Sequence, residues 1–204
     1  MSKLAALLLL AVVIGMGANV QAAETFSPTP ADMYDLDHNS AYTWNFNLGF
    51  KTSDMPITEA TLTFTNIRNW QKESNVLYIH LMDPKATAKM GTKVLSDYYS
   101  SGDYFKGKGI LVDAWKDGVA PDDFKPQTLS YTFDGELLAA LNLYGQDGKI
   151  GFGFDPDCHY YNDGITFTVS TFVAPATIAP APGAILLAGV GTMLVGWLRR
   201  RKSI

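Results

Sequence analysis

Period-two alternation dominates the middle of the chain. Tyr42, Trp44, Phe46 and Leu48 alternate with Thr43, Asn45 and Asn47, and Ala60, Leu62 and Phe64 alternate with Thr61, Thr63 and Thr65. Successive side chains of a strand point to opposite faces, so each run predicts a strand with one buried and one solvated face. Val76–Met82 is apolar on both faces and predicts a central strand. Further strands are expected over Ile110–Trp115, Thr128–Phe133, Lys149–Phe154 and Ile165–Phe172.

Two short helices are expected between them. Asp83-Pro84 supplies an N-cap followed by proline at the first helical position, with Gly91 as the stop. Asp134 precedes Gly135–Tyr144, where Leu137, Leu138, Leu141 and Tyr144 form one apolar stripe ending at Gly145. Residues 24–33, 66–75, 83–109 (outside the short helix) and 116–127 read as loops. Within 97–109, Tyr98, Tyr99, Tyr104 and Phe105 lie among Ser, Gly and Lys, as a lid folded onto the core or as rings that stack on sugars. Short strands, frequent turn residues and no βαβ rhythm predict an all-β fold, an antiparallel β-sandwich or jelly roll with one or two short helices.

Both ends break this pattern. Met1-Ser2-Lys3 starts positive, Leu4–Gly17 is apolar, and Val20-Gln21-Ala22 fits a small-residue cleavage site, the layout of a signal peptide over residues 1–22. At the other end Pro182 precedes an apolar run, Gly183–Leu198, and then Arg199-Arg200-Arg201-Lys202. Sixteen helical residues span about 24 Å, against a hydrocarbon core of ~30 Å. The run predicts a C-terminal transmembrane helix whose basic end stays cytoplasmic, leaving the body across the inner membrane. The domains expected are therefore a signal peptide (1–22), a β-sandwich domain (23–174) and a tail (175–204). The tail divides into a hinge (175–182), a helix (183–198) and a basic end (199–204).

Charge and cysteine usage narrow the partners. Five of the 16 basic residues and none of the 20 acidic ones fall in the terminal segments. The body keeps 11 basic against 20 acidic side chains, a net charge of −9. That excludes the basic footprint of a nucleic-acid binder and suits an exported domain or one that holds divalent cations. Cys158 is the only cysteine, so no intrachain disulfide can form and stability rests on the core.

Asp155-Pro156-Asp157-Cys158-His159 followed by Tyr160-Tyr161-Asn162-Asp163-Gly164 is the densest polar segment. If 155–159 is extended, Asp155, Asp157 and His159 share a face, as two carboxylates and an imidazole suited to zinc or manganese. Alternatively Cys158 is a nucleophile whose base comes from His38 or His80, since His159 would point to the opposite face. A third arrangement is a structural turn whose carboxylates cap backbone amides. Asp35, Asp37 and Asn39 place oxygens at alternate positions, as a calcium loop begins, but Ser40 and Phe46 stand where glycine and glutamate belong. Gly102–Lys108 misses a phosphate-binding loop because Gly109 replaces the magnesium-binding hydroxyl. A divalent cation is thus the one cofactor that the residues suggest. The sequence has no Gly-x-Ser-x-Gly, His-Glu-x-x-His or Cys-x-x-Cys motif.

The tail resembles the PEP-CTERM sorting signal of Gram-negative bacteria in its proline hinge, apolar helix and Arg-rich end. The motif here is Pro180-Ala181-Pro182, with Ala181 where the family carries glutamate, and Arg199, Arg200 and Arg201 form the basic end. Asp147–Thr171 is also similar to a segment before the final strand of some exported PEP-CTERM proteins. The resemblance implies transient membrane insertion, processing by an exosortase-type membrane enzyme, and delivery to the cell surface or exterior. Proteins of the resembled class accompany extracellular polysaccharide and biofilm, so a non-enzymatic surface or matrix role is expected. A secreted carbohydrate-active enzyme, or a cation- or carbohydrate-binding module on the same scaffold, is the alternative.

Overall fold

Residues that alternate in the sequence pair as strands, and the buried member of each pair sets the register. The computed structural model describes residues 20–72, 74–85, 89–97, 102–117, 125–173 and 197, and Val20–Val173 forms one unit. Its strands are β1 (Val20–Phe26), β2 (Ser40–Asn47), β3 (Ile57–Asn69), β4 (Asn75–Met82) and β5 (Gly91–Ser96). They continue as β6 (Gly109–Asp117), β7 (Gln127–Phe133), β8 (Lys149–Pro156), β9 (Tyr160–Tyr161) and β10 (Gly164–Val173).

Two antiparallel sheets result. One runs β1-β10-β3-β7, with β9 added to β3, and the other runs β5-β2-β8-β4-β6. Without β5 and β9, eight strands remain. In chain order they lie first-eighth-third-sixth in one sheet and second-seventh-fourth-fifth in the other. Leu62, Phe64, Phe133, Ile165 and Phe167 of the first sheet share one buried cluster with Tyr42, Trp44, Leu77, Ile79, Phe152 and Phe154 of the second. Rings cross between the sheets: Phe152 meets Phe167 at 5.0 Å and Phe64 meets Phe154 at 5.4 Å. Each such side chain stabilises the fold by about 1.5–3 kcal/mol through burial. The opposite face of the first sheet is hydroxyl-rich, with Thr61, Thr63, Thr166 and Thr168 in register, and Thr25 Oγ1 lies 2.9 Å from Thr168 Oγ1.

Helix α1 (Gly135–Tyr144) forms where the leucine stripe predicts it. Asp134 occupies the capping position without a side-chain hydrogen bond. Asn142 ties α1 to β3, accepting from Ile57 N–H at 2.9 Å and donating to Ile57 O at 3.0 Å.

Where the helix after Asp83 is expected to begin, Pro84 and Lys85 form a turn in which the Asp83 carboxylate accepts the Lys85 amide at 2.9 Å, and residues 86–88 lie outside the described residues. Gly91, expected as the stop, begins β5. Of the expected loop 66–75, residues 66–69 end β3 and Asn75 begins β4, while 70–72 and 74 lie outside the strands as expected, and β1 lies partly in the expected loop 24–33. Strand β1 pairs with β10 from Val20, so cleavage after Ala22 would leave Ala23–Phe26 in the sheet. The expected signal peptide otherwise lies outside the described residues, as does the tail apart from Trp197. Among the described residues, no helix is long and apolar enough to cross a membrane.

Phe152 is fully buried and touches rings from both sheets. Phe152→Ala is expected to cost about 3–5 kcal/mol in urea unfolding. Leu143→Ala, on the 60% exposed face of α1, should stay within about 0.5 kcal/mol.

Candidate functional site

Strand β8 turns phenylalanines to the core and Gly151, Gly153 and Asp155 to the outer face of the second sheet. Glycine there lets other chain segments approach closely. A Cβ on Gly153 would lie 3.0 Å from the Phe105 ring, and one on Gly151 would meet Asn45 Oδ1. Phe105, only 2% exposed, packs with Ala41 and Met82 in a second small cluster, with Tyr104 beside it. The segment Gly102–Lys108 is therefore a strap laid over the outer face. For Tyr104 and Phe105 this matches the expectation of a lid, except that it covers the outer face of a sheet and not the core between the sheets; Tyr98 and Tyr99 lie outside the described residues.

Polar anchors hold the strap. Asp103 accepts the Phe105 amide at 2.9 Å, and its carboxylate meets His80 Nε2 at 3.0 Å. Asp155 Oδ2 accepts the Tyr104 amide at 2.7 Å. Asp155 is 3% exposed, and burial raises its carboxyl to about 7. The Tyr104 amide opposes that rise, while the charges of Asp97 and Asp103 and a hydrogen bond shared with Asp97 add to it. Near neutral pH Asp155 thus holds a proton for much of the time. Burial also lowers the pKa of His80, although Asp103 pulls it upward. A cavity of about 200 Å³ lined by His38, Asn39, Asp97, Asp155 and Asp157 lies on one side of this cluster. A second, of about 490 Å³, is lined by Tyr78, His80, Asp103, Lys106 and Leu111.

A separate group of side chains starts from strained backbone. Met33, Tyr34, Asp35 and Leu36 all have positive φ, from 44° to 63°. Left-handed conformations cost about 1–2 kcal/mol per non-glycine residue. Burying Met33 and Leu36 in the core offsets that cost and presents Asp35 and Asp37 to the turn after β8. Asp35 Oδ1 accepts the Asn162 amide at 3.4 Å. Asp37 Oδ1 lies 3.0 Å from Nδ1 of both His38 and His159. Burial alone would raise the Asp37 carboxyl, but the His159 hydrogen bond and the two imidazoles outweigh it and lower its pKa. His159 meets Tyr161 edge to face at 4.7 Å and lies 6.1 Å from Trp70. Trp70 donates its backbone N–H to His159 O at 3.0 Å and its indole N–H to Cys158 Sγ at 3.2 Å.

Of the proposed set, Asp155 and Asp157 line the smaller cavity together, whereas His159 turns away to Asp37. Strand β8 ends at Pro156 and the chain bends over 157–158, so the alternation that would align them stops after one residue. Asp155 faces the strap, Asp157 accepts the Val76 amide, and His159 bonds Asp37. Cys158 is buried beneath Trp70, and His80, one base suggested for it, bonds Asp103. Asp35 and Asp37 do reach the second acidic segment, whereas Asn39 lines the smaller cavity and its carbonyl accepts the Asp97 amide. Among the described residues, no three His, Cys, Asp or Glu side chains form a group that could hold a metal ion. Pro180, Ala181, Pro182, Arg199, Arg200 and Arg201 lie outside the described residues. Sequence reasoning missed Trp70, Asp97 and Asp103 as site residues, although Tyr161 lies in the segment it singled out. A tryptophan inside a polar stretch (Asn69-Trp70-Gln71-Lys72) is a signal that could have found Trp70.

The chain matches no protein-family model, and no curated protein matches it.

A raised carboxyl makes stability depend on pH in a fixed direction. Between the ordinary value of 3.8 and about 7, folded Asp155 binds a proton that the unfolded chain lacks. Its contribution is fully present below 3.8 and is lost as pH rises through about 7. His80 acts in the opposite sense below 6.5 but is common to both proteins. Urea midpoints at about pH 5 and about pH 8 should therefore show a smaller fall for Asp155→Asn than for the native chain.

Proposed function

We propose that this chain is an exported surface or extracellular-matrix protein whose body is a jelly-roll β-sandwich and whose role beside polysaccharide is non-enzymatic. The strand order, first-eighth-third-sixth facing second-seventh-fourth-fifth, supports the jelly-roll reading. The Pro180-Ala181-Pro182 hinge, apolar run and Arg199–Arg201 end support processing by an exosortase-type enzyme after transient membrane insertion. The observation that carries the non-enzymatic part is the use made of the polar groups. Asp35, Asp103, Asp155 and Asp157 accept the chain's own backbone amides, and Asp37 holds two imidazoles. Groups committed in this way brace loops.

One observation favours a second reading, a carbohydrate-active enzyme. Asp97 and Asp155 share a hydrogen bond beside a cavity, and one of them is raised to about 7, in the range of a general acid. We place this second because Asp155 is nearly inaccessible and bonds the strap.

The sorting reading predicts a mature form that lacks both residues 1–22 and the basic end Arg199–Ile204. Intact-mass measurement of exported protein should give this shorter chain in cells that carry the sorting enzyme and the longer one in cells that lack it. An exported chain that keeps Arg199–Ile204 in both would overturn it.

A further inference from the structure

We infer that Trp70, His159 and Tyr161, with Asp37 and Arg68 at their edges, form a binding platform for a neutral polysaccharide. Trp70 is 51% exposed and Tyr161 38% exposed, although the core buries most of the other large rings. Exposed aromatic rings that lie together, bordered by polar groups, mark an interaction surface. Trp and Tyr serve such surfaces because each offers a rigid apolar face and a polar tip at little entropic cost.

The platform is held in place before any ligand arrives. Trp70 is fixed at both its backbone and its indole N–H, the latter on buried Cys158. Arg68 lies over the Tyr161 ring at 5.3 Å, and β9 pairs Tyr161 with Arg68 across the strands. His159 is clamped by Asp37, which the left-handed turn Met33–Leu36 presents. Strained backbone concentrates at functional sites, and this turn is the longest left-handed non-glycine run among the described residues. Prior ordering of this kind reduces the entropy lost on binding.

The chemistry of the surface selects the ligand. Sugar rings have apolar C–H faces and hydroxyl edges, which match aromatic faces flanked by a carboxylate, an imidazole and a guanidinium. Local charge is balanced between Asp37 and Arg68, while the body carries −9, so a polyanionic chain would be repelled. His38, which also meets Asp37, helps to line the smaller cavity. The inference rests on the matrix reading only for where a neutral polysaccharide would be met.

Native gel electrophoresis of the full chain in mild detergent, with a soluble neutral glucan or a polyuronate cast in the gel, tests it. The neutral glucan should retard the native chain. Trp70→Ala and Tyr161→Ala should each weaken binding by about tenfold or more. Trp70→Phe should keep most of the retardation, and Leu143→Ala, on the exposed face of α1, all of it. Thermal melting of each variant checks folding, and Tyr161→Ala decides if Trp70→Ala melts early. Unchanged retardation of Tyr161→Ala, retardation by the polyuronate alone, or none by the glucan would overturn the inference. Because binding is read on purified chain, a failure here is separate from a failure of sorting.

Discussion

Phe152 meets the rings of Trp44, Phe46, Phe133, Phe154 and Phe167, so one side chain of β8 joins both sheets. Its neighbours on the same strand, Gly151 and Gly153, face the other way. That alternation of large and absent side chains governs the rest of the domain. The phenylalanine face makes the core, and the glycine face is bare enough for Phe105 to settle on it. Without a Cβ at position 153 the strap can approach; with one, the ring would have to move.

Once the strap is down, its backbone amides need acceptors and the buried side chains supply them. Asp103 and Asp155 take the amides of Phe105 and Tyr104, and His80 braces Asp103 from the sheet. Asp97 and Asp103, both partly exposed, then lie beside the buried Asp155 carboxylate. The raised Asp155 relieves this, because a proton shared with Asp97 removes one like charge. The chemistry that looks catalytic in isolation thus has a structural cause in the covering of a sheet face.

The sequence reveals the strands that have one buried face. β2, β8 and β10, and the apolar heart of β3 and β4, follow visible alternation or apolar runs, and so does α1. It conceals β5, because Gly91–Ser96 pairs at an edge with largely exposed side chains and Lys93 in the middle, so burial imposes no pattern. The turn at Pro84–Lys85, where a helix is expected to begin, has a local reason, since the same carboxylate that would cap a helix also closes a turn. At the candidate site, the segment 155–164 stands out in the sequence as polar and dense, and Asp35 and Asp37 reach it. The assumption of an extended chain past Pro156 conceals the geometry. Trp70 comes from a different hairpin, and only the pairing of β3 with β9 brings it beside His159 and Tyr161.

The central claim is that this domain binds a glycan on its exposed rings and leaves the glycan intact. Heteronuclear NMR on the labelled chain during titration with a neutral oligosaccharide tests this directly. The account predicts shifts at the Trp70 indole N–H and the ring signals of Tyr161 and His159, with Trp44 (2% exposed) unmoved and the sugar spectrum unchanged over time. Shifts centred on Asp97, Asp155 and His80, or the appearance of shorter sugars, would contradict it.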